Sequence, residues 1–176
     1  MKDNNPVLEK YLKETYPNFK YISSTTKCLL DLDAFNKECA DYYLTVLDFR
    51  KNSDKEFLEK IERKDKVELL INAYCSPDCT RRKEHYEYLS KCQLNGDTPN
   101  QFCDILTHSF YDSLKLRSVI KLDELFDWFI PHGFKHFKIE GRTLHIMDAL
   151  ESYMYYMIKP ECRDEVRYNA VKALWY

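Results

Sequence analysis

Tyr42-Tyr43-Leu44-Thr45-Val46-Leu47-Asp48, then residues 55–63, then Val67-Glu68-Leu69-Leu70-Ile71-Asn72 decide how this chain is read. The first and last runs are rich in aliphatic, β-branched and aromatic residues, and each closes on a polar side chain, the pattern of short buried strands. Between them Phe57, Leu58 and Ile61 recur at helical spacing. Strand, helix and strand in immediate succession make a βα unit, which predicts a parallel sheet with right-handed connections.

The same alternation extends in both directions. Upstream, residues 8–16 read as a helix stopped near Pro17, residues 19–25 as a strand, and the stretch through Leu32, Phe35 and Cys39 as a helix. Downstream, Ser118-Val119-Ile120-Lys121 is a strand candidate, and residues 122–130 a helix closed by Pro131 and Gly133. His136-Phe137-Lys138-Ile139 is a further strand, and residues 144–158 and 164–174 are helices separated at Pro160. The reading is a single α/β domain over residues 1–176, a partial TIM-barrel-like arrangement of about five parallel βα units.

Composition sets outer bounds on function. The 176 residues are 44% hydrophobic and 32% charged, with a net charge of -2, which suits one folded domain and gives no basic footprint for nucleic acid. The opening Met1-Lys2-Asp3-Asn4-Asn5-Pro6 lacks the apolar centre of a signal peptide, and no apolar run has the length of a membrane span. Seven cysteines, an odd number, read as free thiols or ligands in a reducing compartment, so the expected location is cytoplasmic and away from membranes.

Parallel sheets bind ligands beyond the carboxyl ends of their strands. The residues at those ends are polar in every unit: Ser24, Thr25 and Thr26; Asp48; Asn72 and Cys75; Lys121; Glu140 and Arg142. Strand ends tend to be polar in any case, and it is the repetition that points to a shared site. In a strand, Lys138 and Glu140 share one face while Phe137 and Ile139 share the other, so a charged side faces a pocket and an apolar side packs under helices. Gly141 reads as a position that excludes a side chain. Arg142 offers a planar grip for a carboxylate or phosphate, or else closes an internal ion-pair network with Lys138 and Glu140.

The segment Phe137-Lys138-Ile139-Glu140-Gly141-Arg142 resembles the Lys-Ile-Glu-Gly-Arg signature of peptidase family U32, the collagenase-like peptidases with TIM-barrel-like domains. Ile120-Lys121-Leu122-Asp123-Glu124-Leu125 and Gly133-Phe134 agree with the flanks of that signature, and the resemblance is specific over residues 119–160. It implies that the chain corresponds to the C-terminal part of a U32-type barrel without its opening strands. A second copy of the chain, or a partner chain, would then complete the barrel and cover the open sheet edges. It also implies catalytic roles for Glu140 and Arg142 and ligand contacts from Asn72, Lys121, Lys138 and Arg142.

Cys75, Cys79, Cys92 and Cys103 follow the strand at 67–72 with three, twelve and ten intervening residues. That spacing departs from zinc-ribbon pairs, whereas iron-sulfur clusters tolerate irregular spacing, and Arg81, Arg82 and Lys83 would offset a thiolate-ligated cluster. Some members of the resembled family bind a 4Fe-4S cluster through four cysteines in oxygen-independent ubiquinone hydroxylation, so the resemblance implies a 4Fe-4S cluster first and zinc second. Cys92, at helical spacing from Tyr88 and Leu89, equally reads as a core residue, with His85 able to replace it as a ligand. Cys75 also admits a reading as a nucleophile with His85 or His108 as its base. Cys28, Cys39 and Cys162 fall on helical stretches and read as packing residues.

Three functions follow. The first is a U32-like enzyme or enzyme half using a cysteine-held metal in redox or hydroxylation chemistry. The second is a non-catalytic binding or assembly module with a pocket for a small carboxylate- or phosphate-bearing molecule. The third is a collagenase-like peptidase, for which these residues supply no proteolytic constellation.

Overall fold

The computed structural model describes residues 6–99, 109–141 and 145–174. Its centre is a four-stranded sheet, β1 (Ile22–Ser23), β2 (Leu44–Val46), β3 (Val67–Leu70) and β4 (His136–Lys138), parallel throughout and in the order β1-β2-β3-β4. Sequential order with parallel pairing is what consecutive βα units produce, and it is compatible with a segment of a barrel. The α/β class expected from the sequence is therefore present, with four strands rather than five among the described residues. The helices are α1 (Pro6–Thr15), α2 (Leu32–Asp41), α3 (Lys55–Glu59), α4 (Arg82–Asn95), α5 (Phe110–Ser113), α6 (Leu122–Glu124), α7 (Ile146–Met157) and α8 (Arg163–Leu174). A wider π-type turn, Leu125–Phe129, continues α6.

Side-chain caps start these helices where the sequence places acids and hydroxyls. Asp31 accepts the Ala34 amide at α2, Asp54 the Phe57 amide at α3, and Ser109 the Asp112 amide at α5. Gly96 ends α4 at φ 75°, the left-handed conformation in which glycine carries no steric cost. Gly133, at φ 96°, turns the chain into β4.

All of β2 and three of the four residues of β3 are buried, while β1 and β4 carry exposed residues, so the middle of the sheet is covered on both faces and the edges are not. Strand register puts Thr45, Val67, Leu69 and Phe137 on one face, where the main core gathers Phe35, Leu58, Phe129 and Phe134. Phe137 and Ile139 pack against this core, as their alternation predicts. On the opposite face Lys138 pairs with Glu68 on the neighbouring strand, 3.3 Å away.

The strand expected at residues 118–121 is absent, because its backbone groups are satisfied singly. The Ile120 amide donates to Ile71 O at 2.9 Å, Asn52 Nδ2 donates to Ser118 O at 2.7 Å, and the Lys121 amide donates to Glu124 Oε2 at the start of α6. Asn52 also donates to Leu70 O at 2.8 Å, and the Tyr156 hydroxyl lies 3.0 Å from Ile71 O and 2.9 Å from Ile120 O. Beyond its pairing with β4, the end of β3 is thus held by a loop and two side chains rather than by a strand at 118–121. Gly141 corrects a second expectation: its backbone is not left-handed, and a Cβ there would meet Ala149 Cβ at an ordinary 3.8 Å.

Helix α1 contributes no buried residue. It is fixed by polar contacts: Glu9 pairs with Lys13 and Lys27 and accepts the Tyr42 hydroxyl, and the Tyr21 hydroxyl donates to Leu12 O at 2.6 Å. Burial alone would raise the Glu9 pKa, but the Tyr42 and Lys13 hydrogen bonds and the Lys27 charge bring it to about 2.

Tyr156→Phe removes the hydroxyl that serves both carbonyls beside β3. The expected loss is about 1–2 kcal/mol in denaturant unfolding, with an unchanged slope. No loss at all would show that water replaces the hydroxyl.

Candidate functional site

The carboxyl ends of β1 and β2 and the first turn of α4 converge on one carboxylate, that of Asp48. Asp48 caps a short 3-10 turn (Phe49–Lys51) that follows β2, and its side chain is fully buried. It accepts the Arg50 amide at 3.1 Å, Arg50 Nε at 2.9 Å and Arg50 Nη2 at 2.8 Å, and Arg82 Nη1 stands 3.5 Å from its Oδ1. Arg50 uses its third nitrogen on Cys79 O at 2.8 Å, which ties the loop after β3 to the end of β2.

Arg82 is the less ordinary of the two cations, because its side chain is only 5% exposed. Its Nη2 donates to the Tyr86 hydroxyl at 2.6 Å and to Thr25 Oγ1 at 3.1 Å, and its guanidinium lies 4.0 Å from the Phe49 ring centroid. Neither Nε nor Nη1 has a hydrogen-bond partner among the described residues. Two guanidinium groups around one buried carboxylate leave a surplus positive charge where the dielectric is low, an arrangement that favours an additional anion.

A phenol, bonded to Arg82, and a thiol within electrostatic reach of Asp48 belong to the same neighbourhood. Cys28 ends the 3-10 turn Thr25–Lys27 at φ 52°, and no other non-glycine residue described has positive φ. Burial pushes its thiol pKa up, the nearby charge and hydrogen bond of Asp48 add to that, and Arg82 and Arg50 oppose it. The Tyr86 phenol is likewise raised by burial, with Arg82 opposing. For Asp48, burial raises the pKa, but the Arg50 hydrogen bonds and the Arg82 charge outweigh it and the net direction is downward. Beside this cluster an open cleft of about 410 Å³ is lined by Arg50, Lys51, Cys79 and Arg117, together with Asp54 and Asp78. Lys51 is paired with Asp54 and Arg117 with Asp78.

The residues singled out in the sequence are distributed differently. Asn72 is fully buried and spends its amide on the backbone of the β4 strand end: Nδ2 donates to Glu140 O at 2.8 Å and Oδ1 accepts the Glu140 amide at 2.6 Å. It extends the β3–β4 ladder with a side chain. Lys121 is exposed at the start of α6, Lys138 is held by Glu68, and Arg142 lies outside the described residues. Glu140 is half-buried, with its charge acting on Tyr86 and Tyr74.

Of the cysteines, Cys75 and Cys79 are half-buried in the loop after β3, Cys92 is buried on α4, and Cys103 lies outside the described residues. None of the described ones is joined to another described cysteine in a disulfide. No three His, Cys, Asp or Glu side chains stand together as a metal-holding group among the described residues, so the described residues do not by themselves fit a cluster. His85 sits near Arg82, where burial first and that charge second lower its pKa. No helix among the described residues is long and apolar enough to cross a membrane.

Sequence reading located Asp48 and Thr25 as strand-end polar residues and Arg82 within a basic run, but it placed Cys28 in a packing role. The missed signal was the Thr-Thr-Lys-Cys turn directly after a strand, too short to be a helix. No family model matches this chain, and neither a curated protein nor a solved structure matches it.

Asp48→Asn would leave Arg50 and Arg82 without their counter-charge, and we expect a loss of about 3–5 kcal/mol by urea unfolding. Because the folded-state pKa of Asp48 is depressed, its contribution in the wild type is full above the ordinary aspartate range and fades as pH falls through the lowered value. Stability of the variant should therefore be flatter with pH in that acid window; parallel curves would remove Asp48 from this role.

Proposed function

We propose that this chain is a binding module whose ligand is a small carboxylate- or phosphate-bearing molecule, held at the carboxyl ends of β1 and β2. One observation carries the reading: Arg82, nearly all of it buried, keeps two nitrogens without hydrogen-bond partners while sharing a single carboxylate with Arg50. An acceptor-only anion satisfies both the charge and the donors. The position agrees with where parallel sheets take ligands. Arg50 links the buried cluster to the open cleft, and the cleft gives a polar approach from solvent. This moves the ligand contacts of the binding reading from Lys121, Lys138 and Arg142 to Arg82, Arg50, Thr25 and Tyr86.

Calorimetric titration with inorganic phosphate and with acetate tests the reading. Binding that weakens with added salt, is lost in Arg82→Met and survives in Lys138→Met is the expected result. Phosphate at about a hundred times its Kd should raise the unfolding free energy by about 2.7 kcal/mol. Unaltered affinity in Arg82→Met, or no heat and no stabilisation in the wild type, would overturn it.

A second reading keeps the iron-sulfur enzyme with redox or hydroxylation chemistry that the U32 resemblance implies. It is favoured by the placement of Cys75 and Cys79 in the loop directly after β3, on the ligand side of the sheet. Cys92 and Cys103 would have to supply the other thiolates. Protein purified without oxygen should then be brown and carry iron and sulfide in equal amounts. Colourless, iron-free protein that still binds phosphate would leave the binding module alone.

A further inference from the structure

The short turn Thr25–Lys27 that follows β1 is held from two sides. On one side Thr25 Oγ1 accepts Arg82 Nη2 at 3.1 Å, so the turn touches the buried cation of the candidate site. On the other, Lys27 Nζ pairs with Glu38 on α2, donates to the Tyr42 hydroxyl at 2.8 Å and stands 3.4 Å from Glu9 on α1. Tyr42 donates in turn to Glu9, and Ser23 in β1 donates to Glu38 at 2.5 Å. The turn itself is tightly bonded. Ser24 Oγ accepts the Thr26 amide at 3.2 Å and the Thr26 hydroxyl at 3.0 Å, and the Cys28 amide donates to Thr25 O at 3.0 Å. A single residue, Thr26, therefore separates the tether of α1 from the contact with Arg82.

We propose that α1 is a strap that regulates the anion site. Closed, it fixes Lys27 and through the turn Thr25, which holds Arg82 in its donor geometry. Open, it leaves Lys27 to Glu38 and Tyr42, loosens the turn and weakens anion binding. The inference rests on the anion-binding reading above. An anion that takes Arg82 Nε and Nη1 leaves Nη2 on Thr25, so the anion and the closed strap favour the same position of the turn. Opening is within reach because α1 has no fully buried residue and its Leu8 and Leu12 are half-covered.

Coupling of this kind is reciprocal: the factor by which closure tightens the anion is the factor by which the anion favours closure. Its sign separates it from plain charge. Glu9 is itself an anion, so removing its charge would by Coulomb's law tighten a second anion or, when screened by salt, leave it unchanged. Loss of the strap weakens it.

The test combines calorimetric titration with inorganic phosphate and limited trypsin digestion of the full chain read by peptide mass spectrometry. Lys10 and Lys13 lie on α1 and report its opening, since the protease cuts the opened form, and Lys172, exposed on α8, is the reference. We expect saturating phosphate to slow cleavage at Lys10 and Lys13 by about fivefold or more relative to Lys172, and Glu9→Gln to weaken phosphate by a similar factor. Glu14→Gln removes an equal charge from α1 at its pair with Lys10 and should leave the affinity at or above that of the wild type. Phosphate that binds the wild type yet leaves cleavage on α1 unchanged, or binds Glu9→Gln as tightly as Glu14→Gln, would overturn the strap and leave the anion site standing. No phosphate binding would overturn both. The digestion compares the wild type with itself, so it decides the matter even if Glu9→Gln fails to fold.

Discussion

A strand that runs past its neighbour must still pair its backbone groups, and the carboxyl end of β3, which continues beyond the end of β2, is where this molecule meets that demand. Leu70 O is taken by Asn52, Ile71 O by the Ile120 amide and the Tyr156 hydroxyl, and the Ile71 amide by Lys138 O. Asn72 then substitutes its amide for one further ladder step against Glu140. These partners come from the loop after β2, the segment before α6, the end of β4 and from α7. Elements distant in the chain are thereby fixed to one point, and leaving any of these buried groups unpaired costs about 1–3 kcal/mol. The loops that carry Asp48 and Cys79 leave the sheet beside that point, so the rigidity of the candidate site is inherited from it.

Asp48 imposes a different constraint. A carboxylate at zero exposure is tolerated only when donors surround it, and Arg50 alone provides three hydrogen bonds. Arg82 therefore exceeds what Asp48 needs. Its aromatic contact with Phe49 and its bonds to Tyr86 and Thr25 recover part of the desolvation, and the rest is a standing cost that a bound anion would offset. Sites that give up stability in the free state in this way are a common form of preorganisation.

Much of the fold was legible because its signals are local. The runs at 42–47 and 67–72 and the alternation of Phe137 and Ile139 with Lys138 need only neighbouring residues to act. The segment at 118–121 misled because Val119 and Ile120 carry strand propensity, and only the distant Ile71 and Asn52 determine that it pairs once and then turns. The site was half legible for the same reason. That Asp48 and Thr25 end strands is a matter of sequence; that Arg82, beyond the next strand, reaches back to both is tertiary geometry. Phe137 and Ile139 were correctly placed on the core face, but register gave Lys138 to Glu68, a pairing no local pattern announces.

Helix α1, which has no fully buried residue and is held by charges and hydroxyls around Glu9 with its two leucines, Leu8 and Leu12, only half-covered, stands in a different energetic class from the sheet. Its attachment carries less of the heat-capacity signature of apolar burial than the core does, so warming and salt act on it differently from the way they act on the core. In hydrogen exchange its amides should open through a local event of low free energy, while those of β2 and β3 await global unfolding. The molecule then has two stabilities rather than one, and a single melting temperature would report the second and pass over the first.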